Sequence, residues 1–166
     1  MNDSNRSLVR PLRMPCLLIA CLLAFPSASS SVELWGETVE GRLDITYSSQ
    51  YLWHGYDVFD EHGTFQPRWQ MEWNGFYAGV VGEWPDAGGF VDQTEINPFL
   101  GYECTLFPDD WYALYNYITY IYYTHPHTGN QLDKQELANG LAFPNMIPLG
   151  PARLVPFVDT FFVWDG

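Results

Sequence analysis

Between residues 42 and 54 apolar and polar positions alternate. Leu43, Ile45, Tyr47, Tyr51 and Trp53 take the odd positions, with Ser49 the polar interruption. Arg42, Asp44, Thr46, Ser48, Gln50 and His54 take the even ones, with Leu52 the apolar interruption. A period of two is the signature of a strand, which sends successive side chains to opposite faces. The run exceeds the five or six residues usual in a soluble strand. About ten residues of such alternation, with aromatics near an end, is what a tilted strand needs to cross a bilayer within a barrel. A half-buried strand of a soluble sandwich or lipocalin-like barrel would show the same period.

The pattern recurs. Residues 65–73 place Phe65, Pro67, Trp69, Met71 and Trp73 opposite Gln66, Arg68, Gln70 and Glu72. Asn74-Gly75 follows, a two-residue hairpin signal because both turn positions favour positive φ. A third strand is expected over 76–84, with Ala78, Gly79 and Gly82 permitting close approach of neighbours. A fourth covers 94–102, a fifth the Tyr- and Ile-rich 111–124, a weaker sixth 135–143. A seventh covers 152–164, with Leu154, Pro156, Val158, Phe162 and Trp164 opposite Arg153 and Asp159. Pro67, Pro98 and Pro156 fall inside these runs, which ideal central strands do not accommodate. Long polar joins (55–63, 85–92, 125–134) alternate with Asn74-Gly75 and the joins at 103–110 and 144–151. Long loops on one side and shorter turns on the other suit an outer-membrane barrel. Only 133–141 offers a short turn of helix.

The expected fold is therefore all-β, an antiparallel up-and-down transmembrane β-barrel. Bacterial single-chain barrels close with an even strand number of at least eight. Seven readable strands, ending on Asp165-Gly166, imply a C-terminally incomplete barrel.

The first 29 residues read as an address. Arg6, Arg10 and Arg13 form a basic segment, residues 16–25 a short apolar core, and Ser27-Ala28-Ser29 a small-residue cleavage site, as in a secretory signal peptide. Leu18-Ile19-Ala20-Cys21 also fits a lipoprotein signal acylated at Cys21, although the apolar core continues past it. Residues 30–41 are expected as an N-terminal periplasmic segment and 42–166 as the barrel domain. The whole chain carries a formal charge of −13. Without the leader, Arg42, Arg68, Lys134 and Arg153 face nineteen acids, a net charge near −15 that argues against nucleic acid as a partner. Cys104 would be the one remaining thiol, so no disulfide framework is expected. Aromatic residues make up 17% of the chain with no long apolar run after the leader, which suits a sheet protein with aromatic girdles.

Several segments resemble a known family. Tyr51-Leu52-Trp53-His54-Gly55, Phe65-Gln66-Pro67 and Asn74-Gly75-Phe76-Tyr77-Ala78-Gly79-Val80 are similar to the start of the TorF-type porins. That family shows an aromatic-x-Trp-Arg-Gly strand end, a Gln/Pro strand and a Gly-Phe-Tyr-x-Gly strand. Glu95-Ile96-Asn97-Pro98-Phe99-Leu100-Gly101-Tyr102 resembles its acidic strand ending in Gly-Tyr, and Ile121-Tyr122-Tyr123 its Tyr-Tyr strand end. His54 stands where the family has arginine. The resemblance implies an outer-membrane barrel with a transport role and names no solute.

The side chains expected to line a barrel interior are Arg42, Asp44, Gln50, His54, Arg68, Glu72, Glu95, Asn97, Arg153 and Asp159. Such a lumen could select solutes, or fill with a packed polar network in a barrel as narrow as eight strands. Asp57, Asp60, Glu61 and His62 form an acidic loop cluster whose spacing matches no calcium loop. His125-Pro126-His127 offers two imidazoles without a third ligand nearby. Gly-x-Ser-x-Gly, His-Glu-x-x-His and phosphate-binding glycine loops are absent from the sequence, so neither catalysis nor a cofactor is expected. The expected role is a passive channel for small solutes, with the bilayer as partner. The competing expectation is a soluble or lipid-anchored periplasmic barrel binding an apolar or sugar-like ligand. The two differ in which face is wet.

Overall fold

The computed structural model describes residues 23–24, 28–34 and 36–166. Most of the expected leader lies outside the described residues. Among the described residues there are thirteen strands: β1 (Leu23–Ala24), β2 (Ala28–Leu34), β3 (Glu37–Ser48), β4 (Leu52–Trp53), β5 (Tyr56–Asp57), β6 (Thr64–Trp73) and β7 (Phe76–Pro85) come first. A 3-10 helix at Gly88–Gln93 precedes β8 (Glu95–Leu106), β9 (Leu114–Tyr123), β10 (Lys134–Ala142), β11 (Ile147–Leu149), β12 (Ala152–Leu154) and β13 (Phe157–Asp165). One antiparallel sheet runs β1-β3-β6-β7-β8-β9-β10-β13, with β2 also paired to β3. β1 meets β3 at Thr46 and Tyr47 and β2 meets it from Glu37 to Leu43, so the two lie end to end along one side of β3. The sheet thus has eight strand positions rather than seven. Residues 30–34 and 37–41, expected as a segment ahead of the sheet, belong to it, as do Ala28 and Ser29 from the end of the expected leader. Among the described residues β13 pairs only with β10, and the two edges do not meet.

Local chemistry explains the joins. Asn74 (φ 48°) and Gly75 (φ 80°) form the tight turn between β6 and β7, with Trp73 paired to Phe76. His54 (φ 47°) and Gly55 (φ 85°) form the same kind of turn between β4 and β5. The continuous strand expected over 42–54 therefore stops at Ser48. Its alternation persisted through the bend because a small two-stranded hairpin obeys the same period of two.

The prolines also find physical places. Pro67 and its neighbour Gln66 are skipped in the ladder to β7, which resumes at Arg68–Val81. Pro98 pairs with Val80, while the ladder to β9 begins one residue later at Phe99–Ile121. Pro156 lies outside β13, so the strand expected over 152–164 is two elements: β12 in a hairpin with β11, and β13 from Phe157.

Cross-strand partners share a face, and the two faces differ sharply. One row runs Met71, Ala78, Leu100, Tyr120, Leu137, Phe162; another runs Leu43, Trp69, Val80, Pro98. These apolar side chains face outward, with Leu100 59% and Phe162 66% exposed. On the opposite face a row runs Asp44, Arg68, Val81, Asn97, and another Glu103, Tyr117, Gly140, Asp159. That face is concave and holds the buried polar residues, Asn97 at 1% and Glu136 at 2% exposure among them. The burial pattern is inverted relative to a water-soluble domain.

Candidate functional site

The concave face is the candidate site. Arg42, Asp44, Arg68, Glu72, Glu95, Asn97 and Asp159 all stand on it, as the alternation of their strands requires. Arg42 Nε lies 2.5 Å from Asp44 Oδ2, two residues along the same strand. The Arg68 guanidinium donates to Gln70 Oε1 at 2.7 Å and sits 4.6 Å from the centre of the Phe99 ring. Asn97 donates to Glu95 Oε2 at 2.6 Å and accepts the Thr124 backbone N–H at 3.2 Å. Asp159 accepts from the Tyr117 hydroxyl at 3.0 Å.

The other three expected lining residues lie elsewhere. Gln50 is in the bend after β3, where its amide donates to Asp57 Oδ2 at 2.6 Å. Arg153 is at the opposite end of the sheet, on the β11–β12 hairpin, bonded to Asn145 Oδ1 at 2.5 Å. Both corrections follow from the strand breaks at Ser48 and before Phe157. His54 occupies the turn of the β4–β5 hairpin, and that hairpin lies over the concave face. His54 Nε2 is 2.8 Å from Glu136 Oε2 on β10, and its ring packs 4.2 Å from Phe161 on β13.

That contact reports the curvature of the sheet. Five inter-strand steps separate β3 from β10, about 24 Å if the sheet were flat. The six residues from Ser48 to His54 span at most about 20 Å fully extended, yet they form a bend and a hairpin. The sheet therefore curls towards itself under the hairpin. Beneath it a trough of about 370 Å³ extends from Arg68 across Phe99 and Tyr115 to Glu136 and Phe161. Arg68 stands towards one side of the trough and Glu103 and Glu136 towards the other, while Asp44 and Glu72 accompany the arginines on β3 and β6.

Tyrosines floor the trough because glycines leave room for them. Tyr77 is paired with Gly101, and Tyr117 with Gly140. A Cβ on either glycine would collide with the facing ring. The rings lie across the glycines and turn their hydroxyls to partners: Tyr77 to Thr119, Tyr117 to Asp159 and, next to them, Tyr115 to Glu103 at 2.6 Å.

The long loops pack together at one end. Phe59 is fully buried between Tyr51 and Phe90. Burial, reinforced by the charges of Glu95 and Glu83, pushes the Tyr51 phenol well above its ordinary range, so it stays neutral. Asp57 is held below the usual carboxylate range, chiefly by the Gln50 amide, which outweighs an opposing desolvation effect, with the backbone N–H groups of Glu61 and Phe59 adding to it. The Asp57, Asp60, Glu61, His62 cluster is exposed and is spent on this local turn. His125 turns inward, 3.6 Å from Glu95 and 3.7 Å from Asp133, while His127 is exposed. Among the described residues no group of three or more His, Cys, Asp or Glu side chains is arranged to hold a metal ion.

Sequence reasoning missed Glu83, Glu103 and Glu136 on the concave face. Glu83 and Glu136 lie in runs where every second residue is small or polar (Tyr77, Gly79, Val81, Glu83; Lys134, Glu136, Ala138, Gly140), and that alternation was the available signal. Comparison with family models, curated proteins and solved structures finds no match to the chain.

Proposed function

We propose that this chain forms the wall of an outer-membrane β-barrel that passes small solutes, as the resemblance to TorF-type porins implies. One observation carries the reading: the burial pattern is inverted. Leu43, Trp69, Leu100 and Phe162 are exposed on the convex face, while Glu83, Glu95, Asn97 and Glu136 are buried on the concave one. In water this arrangement wastes the hydrophobic effect and buries charge. In lipid, the convex face meets hydrocarbon and the polar face is left for solvent and solutes. The eight strand positions equal the smallest number with which a bacterial barrel closes. The soluble, ligand-binding alternative needs Leu43, Trp69, Leu100 and Phe162 turned inward, and their exposure favours the membrane reading over it.

The concave face is acidic overall, so the channel is expected to favour cations. Full-length protein refolded in a mild detergent is expected to show heat-modifiable migration and stepwise, cation-preferring conductance in planar bilayers. A folded, soluble monomer obtained without detergent would sink the membrane reading. A folded protein giving silent bilayers would sink the channel alone.

A further inference from the structure

We propose that the long-loop end of the concave face holds a binding subsite for a small zwitterionic solute of the α-amino acid class. The site is a cavity of about 210 Å³ between the inward hairpin, the start of β8 and the end of β9. At about 30 Å³ per water molecule, it has room for roughly seven water-sized groups. Its two sides carry opposite, unanswered chemistry.

On one side is Lys134, whose ammonium lies 5.4 Å from the centre of the Trp53 ring. No carboxylate pairs with it among the described residues. Beside it the buried Trp53 Nε1–H has no hydrogen-bond partner; the Tyr123 hydroxyl is near enough to interact but makes no bond of good geometry with it. The Lys134 ammonium fits a carboxylate. On the other side, Glu95 is buried and uses Oε2 for Asn97, leaving Oε1 to face His125 Nε2 at 3.6 Å, too far for a hydrogen bond. His125 Nδ1 is turned to Asp133 Oδ1 at 3.7 Å, also beyond hydrogen-bond range. The Glu95 carboxylate oxygen fits an ammonium group. Val58 and Leu132 supply apolar wall between the two sides.

Buried polar groups in folded proteins are almost always paired, so Lys134 without a carboxylate and a buried Glu95 oxygen without a hydrogen bond, both lining one cavity, mark a place that a bound molecule completes. A simple amine would leave Lys134 unanswered and set a second positive charge near it. A simple carboxylate would meet Glu95. A zwitterion answers both sides at once.

Binding itself does not depend on conduction, whereas identifying the transported solute class rests on the channel reading. Isothermal titration of the full chain, in whichever medium preserves its β-sheet circular dichroism, compares L-alanine with ethylamine and propionate. L-Alanine is expected to bind at least tenfold more tightly than either. Lys134→Met and Glu95→Gln should each weaken it at least tenfold, and Leu132→Trp should abolish binding by filling the cavity without changing charge. Folded wild-type protein that binds no alanine, ethylamine binding as tightly as alanine, or folded variants that bind like wild type would each overturn the proposal. Alanine binding without conductance keeps the site and removes the channel; conductance without binding does the reverse.

Discussion

Glu136 shows what a single residue does here. Its Oε2 accepts from both His54 Nε2 at 2.8 Å and the Tyr123 hydroxyl at 2.9 Å, and almost none of it meets solvent. It ties the inward hairpin to the wall. Glu136→Ala removes the acceptor from two donors and is expected to destabilise the fold by about 1–3 kcal/mol, the usual cost of stranding a buried polar group. His54→Ala should cost less, because His54 is more exposed and can be replaced by water. Urea titration of the two variants measures the order. Asp57 makes a second residue-level case. Its carboxyl titrates below its unfolded value, so its contribution to the loop is present above the unfolded pKa of about 3.9 and is lost as pH falls through the lower folded value. Exchange of the Glu61 amide, which donates to Asp57 Oδ2 at 2.8 Å, should accelerate over that acid window. In Asp57→Asn the dependence on pH should disappear.

At the scale of elements, the strands are held in place by their turns and by side-chain fit across the ladder. Asn74-Gly75 was legible because positive φ at two successive positions has a strong residue signature. His54-Gly55 performs the same turn and was not legible, since Asn-Gly and Asp-Gly, rather than His-Gly, are the pairs that mark such a turn in a sequence. The pairing of Tyr117 with Gly140 lies twenty-three residues apart in sequence, and no local pattern announces it. Gly140→Val should drive the Tyr117 ring off its seat and break its bond to Asp159, with a loss of about 1–3 kcal/mol by overpacking. Tyr117→Ala combined with Gly140→Val should recover part of that loss, and a double-mutant cycle in urea reads the coupling. The prolines belong to this scale too. Each of Pro67, Pro98 and Pro156 sits where a ladder lapses or has not begun, as a residue without an N–H donor requires.

Across the whole molecule, the decisive quantity is which solvent the convex face meets. Leu100 stands in the middle of that face on a central strand. Leu100→Arg should cost about 2–4 kcal/mol where the residue sits at the midplane of a bilayer. On a surface bathed by water the same change would stay within about 0.5 kcal/mol. Folding titrations into lipid vesicles measure the difference, and a neutral outcome would place the face in water. The alternation of polar and apolar residues determined by itself that the chain is all-β, roughly where its main strands lie, and which residues of each strand share a face. Those properties are local, because a period of two constrains only neighbours along one strand. Tertiary structure alone decided that residues 28–34 complete an eighth strand position, that His54 turns inward to Glu136, and that Arg153 and Gln50 leave the wall. It also set Trp53, Lys134, Glu95 and His125 around one cavity. These depend on how far the sheet curls and where the loops then fit, and curvature is a sum over every pair of strands rather than a property of any one segment.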